Sequence, residues 1–496
     1  MSDLRRAVLF ASGGRYVVTG INLAAAIVLA RLLTPAEFGI SVIGTSILGI
    51  AEAIRELGSI AYLVQQKEIP REKVRTVFTI SLLVTLAMTA MLILLSEPFA
   101  RFFDAPPLAQ YIRIVALSYC IAPFVHPIYA MLSRDMAFDK LAMLDTATAL
   151  VSALSSIGFV LLGFSYTGLA WAAVVAGATW TLLGSCVLRD FSIYVPSLTA
   201  WRSVLMFGAF GSATAVLYRV SEALFFLFVG KVVDARAVGL FQRAGMLAQF
   251  PERVILAGIA AVALPAFSKR ARQGDELKST YLGAVEYVTA VQWPLLVMLV
   301  IMAGPMVHLL YGAQWDDAVP LIRILSLALF CNFPTSLNYP IQVAAGAIRH
   351  TVPLAFVQSA LLLFAVFVTA HYGIEAIALG VFLVVPVNVS LSILVVRAHA
   401  PFAWREFAGA LTKSLGVTCV SGIGPLVVVA VAAGMSTTIS ITSFAIAVGI
   451  FASGWIVGLW LTRHPLFLEV RRVARMAANF GFAWVGNMPG RAGGGS

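Results

Sequence analysis

Charge is what this chain has least of. Only 11% of its 496 residues are Asp, Glu, Lys or Arg, against 60% hydrophobic, and the mean hydropathy is +0.93. A water-soluble domain is excluded, and a polytopic membrane protein is expected. Cysteine is nearly as scarce. Cys120, Cys186, Cys331 and Cys419 lie far apart in apolar segments with no CxxC spacing, so buried thiols are expected rather than disulfides or metal ligands. The six histidines show no His-x-x-x-His spacing, and no metal site is expected. The opening Met-Ser-Asp-Leu-Arg-Arg lacks a small-residue cleavage site, so no cleavable signal is expected, and residues 493–496 read as an appended linker.

Long apolar runs dominate instead. They fall near 10–31, 38–65, 74–96, 107–132, 141–163, 167–188, 204–229, 238–265, 280–303, 317–346, 351–370, 374–396, 407–432 and 439–462. The expected fold is all-α, with fourteen transmembrane helices joined by short connections. Most of the 34 Lys and Arg sit in even-numbered loops and at the two ends, whereas the odd-numbered loops carry only Arg31, Arg101, Lys231 and Arg236. That asymmetry predicts a bacterial inner-membrane protein with both termini in the cytoplasm. It also assigns the net charge of +11 to topology and contact with anionic membrane lipids, with no nucleic-acid partner. Residues 463–492 read as a basic amphipathic cytoplasmic tail.

One element occurs twice. Arg31-Leu-Leu-Thr-Pro-Ala-Glu-Phe-Gly39 parallels Lys231-Val-Val-Asp-Ala-Arg-Ala-Val-Gly239; Glu52 then falls on Glu252, and Gly58 on Gly258. A second echo pairs Ile112-Arg-Ile-Val-Ala-Leu-Ser118 with Ile322-Arg-Ile-Leu-Ser-Leu-Ala328, each running into prolines (Pro123 and Pro127; Pro334 and Pro340). Helices 1–6 therefore map onto 7–12, as two six-helix lobes related by a pseudo-two-fold axis along the membrane normal. The expected divisions are 1–190, 191–400 and an extra helix pair at 401–462.

Polar stripes concentrate on the first hairpin of each lobe. Arg15, Thr19 and Asn22 share a face of helix 1, and Glu52 and Glu56 lie on one stripe of helix 2 beside Arg55. Helix 7 offers Tyr218, Arg219 and Glu222. Helix 8 offers Arg243, Gln249, Glu252 and Arg253. Charge inside an apolar segment is expensive and marks a substrate path or a paired contact. Two readings stay open: a water-accessible central cavity whose arginines grip phosphate, or salt bridges such as Glu52–Arg55 and Glu252–Arg253 that tie helices together. Arg15 could also simply snorkel. Asp145 and Glu286 read as proton sites or as packing contacts. The candidate substrate-binding set is Arg15, Asn22, Glu52, Arg55, Tyr218, Arg219, Glu222, Arg243, Gln249, Glu252 and Arg253.

The segment Gly14-Arg-Tyr-Val-Val-Thr-Gly-Ile-Asn-Leu23, with Ala30-Arg-Leu-Leu-Thr-Pro-Ala-Glu-Phe-Gly39 and Ile322-Arg-Ile-Leu-Ser-Leu-Ala-Leu329, resembles the polysaccharide-transport family. That family holds Wzx-type lipid-linked oligosaccharide flippases and belongs to the multidrug/oligosaccharidyl-lipid/polysaccharide exporter superfamily. The resemblance implies a non-enzymatic exporter that works by alternating access. Its substrate would be an undecaprenyl-diphosphate-linked oligosaccharide repeat unit for exopolysaccharide, capsule or O-antigen. The carboxylates Glu52, Glu222 and Glu252 could also couple transport to H+ or Na+, and a polysaccharide polymerase or export complex is a further candidate partner. The rivals are a cation-coupled drug exporter, which would favour an acidic cavity, and a membrane-embedded glycosyltransferase or polymerase, which would favour a long outer loop.

Overall fold

The computed structural model describes residues 2–55, 71–199, 201, 213–253, 277–334, 337–338, 341–342, 351–434, 440–472 and 475. Glu56, Gly58, Gly258, Pro340, most of the tail beyond Arg472 and the linker 493–496 lie outside them. The helices are α1 (Ser2–Leu32), α2 (Pro35–Arg55), α3 (Arg71–Phe102), α4 (Pro107–Arg134), α5 (Phe138–Phe159), α6 (Thr167–Leu188), α7 (Ala213–Val232), α8 (Ala235–Ala248), α9 (Leu277–Leu310), α10 (Ala318–Phe330), α11 (Thr351–Thr369), α12 (Ile374–His399), α13 (Trp404–Gly434) and α14 (Ile441–Leu461). Among the described residues, eleven are long and apolar enough to cross a membrane; α7, α8 and α10 are not among them. The expected helix 10, over 317–346, is corrected: α10 stops at Phe330, and Cys331–Pro334 is non-helical. Pro334 has no N–H to continue the ladder.

The packing repeats with a shift of six. In the first lobe α1 packs on α5, α2 on α4, α3 on α4, α4 on α6 and α5 on α6. In the second, α7 packs on α11, α8 on α10, α9 on α10, α10 on α12 and α11 on α12. The lobes meet chiefly through α2, which packs along both α8 and α7. The pseudo-equivalent of the α2–α7 contact, between α8 and α1, is not formed to a comparable extent among the described residues. Apolar side chains such as Leu94, Leu182, Phe364 and Trp460 cover the outside of α3, α6, α11 and α14, a surface suited to lipid.

The duplicated element forms the junction between the lobes. Thr34 and Glu37 make a reciprocal capping box, with Thr34 N–H donating to Glu37 Oε2 at 2.8 Å and Glu37 N–H to Thr34 Oγ1 at 3.3 Å. Pro35 follows in the first helical position. At the matching place Asp234 Oδ1 accepts from Ala237 N–H at 2.6 Å. The two capped starts cross at Gly39 and Gly239. A Cβ on Gly39 would overlap the Ala235 carbonyl, and one on Gly239 the Pro35 carbonyl. Each lobe also extends a cation to the other. Arg31 donates to the last carbonyls of α9, those of Leu309 and Leu310, where the helix dipole is negative. Lys231 pairs with Asp104, just past α3, at 2.9 Å. Trp315, fully buried, donates from Nε1 to Ala30 O at 2.7 Å.

Outside the repeat, α13 packs on α9, and α14 on α13. His464 follows α14 and is buried beside Glu286 and Tyr287 of α9 and Lys413 and Ser414 of α13. Its Nδ1 accepts from Leu466 N–H at 3.1 Å, so His464 caps the short helical segment 466–472. Burial holds its pKa below the ordinary value; Glu286 opposes this and Lys413 adds to it. The fold therefore favours the neutral ring. The stability it contributes is present above the unfolded pKa of about 6.5 and is lost as pH falls below it.

Two predictions follow from these packing contacts. Gly39→Ala or Gly239→Ala should each cost about 1–3 kcal/mol by overpacking and weaken disulfide trapping between cysteines placed at Asp104 and Lys231; unchanged trapping would show that the crossing tolerates a Cβ. The thermal-stability advantage of wild type over His464→Asn should narrow as pH is lowered from about 7.5 to about 5. A gap that widens on acidification would contradict a neutral capping imidazole.

Candidate substrate cavity

On the side of the crossing away from Arg31 and Lys231, where α1 and α8 do not pack closely among the described residues, lies a cavity of about 830 Å³. Arg15, Thr19 and Asn22 of α1 line it, as do Asp145 of α5, Trp180 of α6, and Arg253 from beyond α8. Asp145 is held by Trp180, whose Nε1 donates to Oδ1 at 3.0 Å. Arg253 donates to Gln249 Oε1, one turn earlier, at 3.2 Å. Among the described residues, no carboxylate lies within ion-pair distance of Arg15 or Arg253. Among the described residues the cavity therefore has a guanidinium on each lobe and one carboxylate on its wall.

Glu52 lies about 20 Å along α2 from Gly39 and reaches two arginines. Its Oε1 is 3.3 Å from Arg55 and its Oε2 is 3.5 Å from Arg219 on the other lobe. Arg55 is buried, 4.8 Å over the Tyr119 ring and 3.3 Å from Nε2 of His126. The carboxylate thus connects a packed arginine to an accessible one. Tyr119 in turn donates to Ala51 O at 2.8 Å, fixing the ring beneath the guanidinium.

The remaining candidates are dispersed. Glu252 accepts from Asn332 Nδ2 at 3.3 Å, and the break after α10 is what carries Asn332 to it. Tyr218 donates to Gln358 Oε1 of α11 at 3.1 Å. Glu222 is exposed on α7. Arg243 is not brought to the cavity surface. It is 2% exposed, with its guanidinium stacked 3.9 Å over Phe38 close beneath the glycine crossing. The Glu52–Arg55 salt bridge is formed; Arg253 lies within electrostatic reach of Glu252 but makes no salt bridge with it. Trp180 and His126 were missed from sequence because each matters only through a partner on another helix. Asp145, Thr148 and Ser152 share a face of α5 and line the cavity, a stripe outside the first hairpin of each lobe, to which the expectation from sequence confined the site.

The fold and cavity define an all-helical, multi-pass membrane protein of two six-helix lobes around a central space. The fold matches that of lipid II flippase MurJ in its inward closed conformation over 92% of this chain and 99% of that one, with a TM-score of 0.73 at 15% sequence identity. At that identity the likeness shows the fold. A sequence profile for the family described as polysaccharide biosynthesis protein matches residues 28–320, and the chain belongs to that family. It is 23% identical over 472 residues to the lipopolysaccharide biosynthesis protein WzxC of Escherichia coli K12, covering 92% of this chain and 93% of WzxC. It is 25% identical over 342 residues to the succinoglycan biosynthesis transport protein ExoT of Rhizobium meliloti, covering 66% of each.

The side chains of Glu52 and Arg219 are 40% and 46% exposed, so their pairing should be screened. A double-mutant cycle with Glu52→Gln and Arg219→Gln should give a coupling of about 0.2–1 kcal/mol that shrinks with added salt. A salt-independent coupling several times larger would place the pair in a dry, closed centre.

Proposed function

We propose that the protein is a flippase that moves a polyprenyl-diphosphate-linked oligosaccharide from the inner to the outer leaflet of the bacterial inner membrane. Both termini lie in the cytoplasm, and extracellular polysaccharide assembly uses the product. The observation that carries this reading is the pair Arg15 and Arg253. They come from different lobes and line one cavity, and among the described residues neither is in salt-bridge contact with a carboxylate, although Glu252 lies within electrostatic reach of Arg253. Two guanidinium forks suit the oxygens of a diphosphate. Membership of the polysaccharide biosynthesis family and the similarity to ExoT, a transport protein by name, support the same conclusion.

In this reading the diphosphate and sugars occupy the cavity while the polyprenyl chain stays in lipid beside α1, where the lobes do not close on each other. Arg15 and Arg253 offset the head-group charge, Asn22 and Thr19 offer hydrogen bonds to hydroxyls, and Trp180 presents an aromatic edge to a sugar. The lobes then pivot, the glycine crossing parts, and the head leaves on the far side. No bond is made or broken, so no catalytic residue is required. A cationic drug is the poorer fit, because among the described lining residues it would meet two guanidinium groups and one carboxylate.

Reconstituted into vesicles with a labelled short-chain polyprenyl-diphosphate disaccharide, the wild type should exchange the probe between leaflets. Arg15→Gln and Arg253→Gln should each lower that exchange by about tenfold or more, with normal insertion and thermal stability. Exchange at the wild-type rate in both variants would remove the cavity arginines from the mechanism.

A further inference from the structure

We infer that Arg243 is a second anion site, sheathed in this conformation, which takes the diphosphate on the outer half of its path. The inference rests on the flippase reading above and adds a step to it. Arg243 is the most completely enclosed of the candidate arginines, at 2% exposure. Its guanidinium is 3.9 Å over Phe38 and 5.7 Å from both Tyr311 and Trp315. Among the described residues its Nε has no acceptor, and the contact from NH1 to Met246 Sδ at 3.9 Å is weak. No carboxylate pairs with it among the described residues. A buried cation held, among the described residues, chiefly by ring faces is a costly way to fill space, since an apolar side chain of similar volume would pack there without the desolvation penalty. Such a charge within a membrane bundle points to function.

Its position says which function. Arg243 lies one turn past Gly239 on α8, directly under the lobe crossing. Tyr311, one of its rings, lines the inner cavity and also a second cavity of about 650 Å³ beside Arg31, His308 and Gln314. The aromatic cluster is thus the partition between an inner and an outer chamber, and the cation sits within it. The cover over the cation is divided between lobes. Phe38 belongs to α2, while Arg243, Tyr311 and Trp315 belong to the other lobe. Rigid-body separation of the lobes would withdraw Phe38 and break the bond from Trp315 to Ala30, uncovering an unpaired guanidinium that faces the opened space. An anionic head released by Arg15 and Arg253 would meet it next. When the lobes close again, Phe38 displaces the anion, because a ring face and a phosphate compete for the same fork.

The test uses the full chain in right-side-out vesicles, with the disaccharide probe above and inorganic pyrophosphate added outside. Arg243→Met keeps the volume and removes the charge. It should bind the probe from the inner side within about twofold of wild type yet lose about tenfold or more in leaflet exchange, while Arg243→Lys keeps part of the exchange. Exchange by Arg243→Met at or above the wild-type rate would overturn the proposal and leave Arg243 as packing. Should Arg243→Met fail to insert, Phe38→Leu opens the sheath without touching the cation. External pyrophosphate should inhibit Phe38→Leu more strongly than wild type, and the double variant Phe38→Leu/Arg243→Lys less strongly than Phe38→Leu. Equal inhibition of the single and double variants would also overturn it. Failure of the wild type to exchange the probe at all would instead strike the flippase reading, so the two failures are distinguishable.

Discussion

Two backbones touch at Gly39 and Gly239, and the arrangement of the lobes depends on that contact. Helix axes approach this closely only where neither carries a side chain. Each glycine sits one turn into a helix whose start is fixed by its own cap, Thr34 with Glu37 in one lobe and Asp234 in the other. The caps set where the helices begin, the glycines set how near they come, and the Arg31 and Lys231 contacts brace the crossing from both sides. Everything farther along α2 and α8 is positioned by this point, including the levels at which Glu52 and Arg253 lie.

The arginines of the bundle divide by what surrounds them. Arg15 and Arg253 face open space and retain free hydrogen-bonding capacity. Arg55 is enclosed but has Glu52, His126 and the Tyr119 ring, so its charge is shared. Arg243 has rings and little else. Desolvation penalises an ion far more than pairing across an accessible gap rewards it, so these environments are not interchangeable. The same residue type serves to bind, to brace and to sit under cover, according to which lobe supplies its neighbours.

Much of this was legible in the sequence. The 200-residue echo disclosed the duplication, and the two-lobe architecture followed from it; that the repeated element is where the lobes cross came only from the packing. Helical stripes placed Arg15, Asn22 and Arg253 where a shared cavity became plausible, since spacing along one helix determines which residues share a face. What spacing does not encode is the partner. Arg243 and Arg253 look alike on a helical wheel read locally, yet Phe38, Tyr311 and Trp315 close over one and leave the other accessible. Asp145 gains its place only when Trp180 arrives from α6. The break after α10 had a visible cause in Pro334, but its delivery of Asn332 to Glu252 depends on packing between helices far apart in the chain.

The departure from symmetry is as informative as the repeat. A strict two-fold would give α8 a contact with α1 to match that of α2 with α7. The sequence departs from that symmetry at the equivalent positions. Asn22 corresponds to Glu222 and Thr19 to Arg219 under the 200-residue offset, so the charge that bridges to Glu52 from α7 has no counterpart on α1. One seam is joined by an ion pair, and the other is left as the side of the cavity beside α1. A substrate with a polar head and a long apolar tail requires that inequality: the head needs a polar chamber, while the tail needs one side where the wall does not seal. A symmetric bundle would close both seams or neither. Duplication supplied the hinge-like crossing, and divergence of a few polar residues on α1 and α7 supplied the opening.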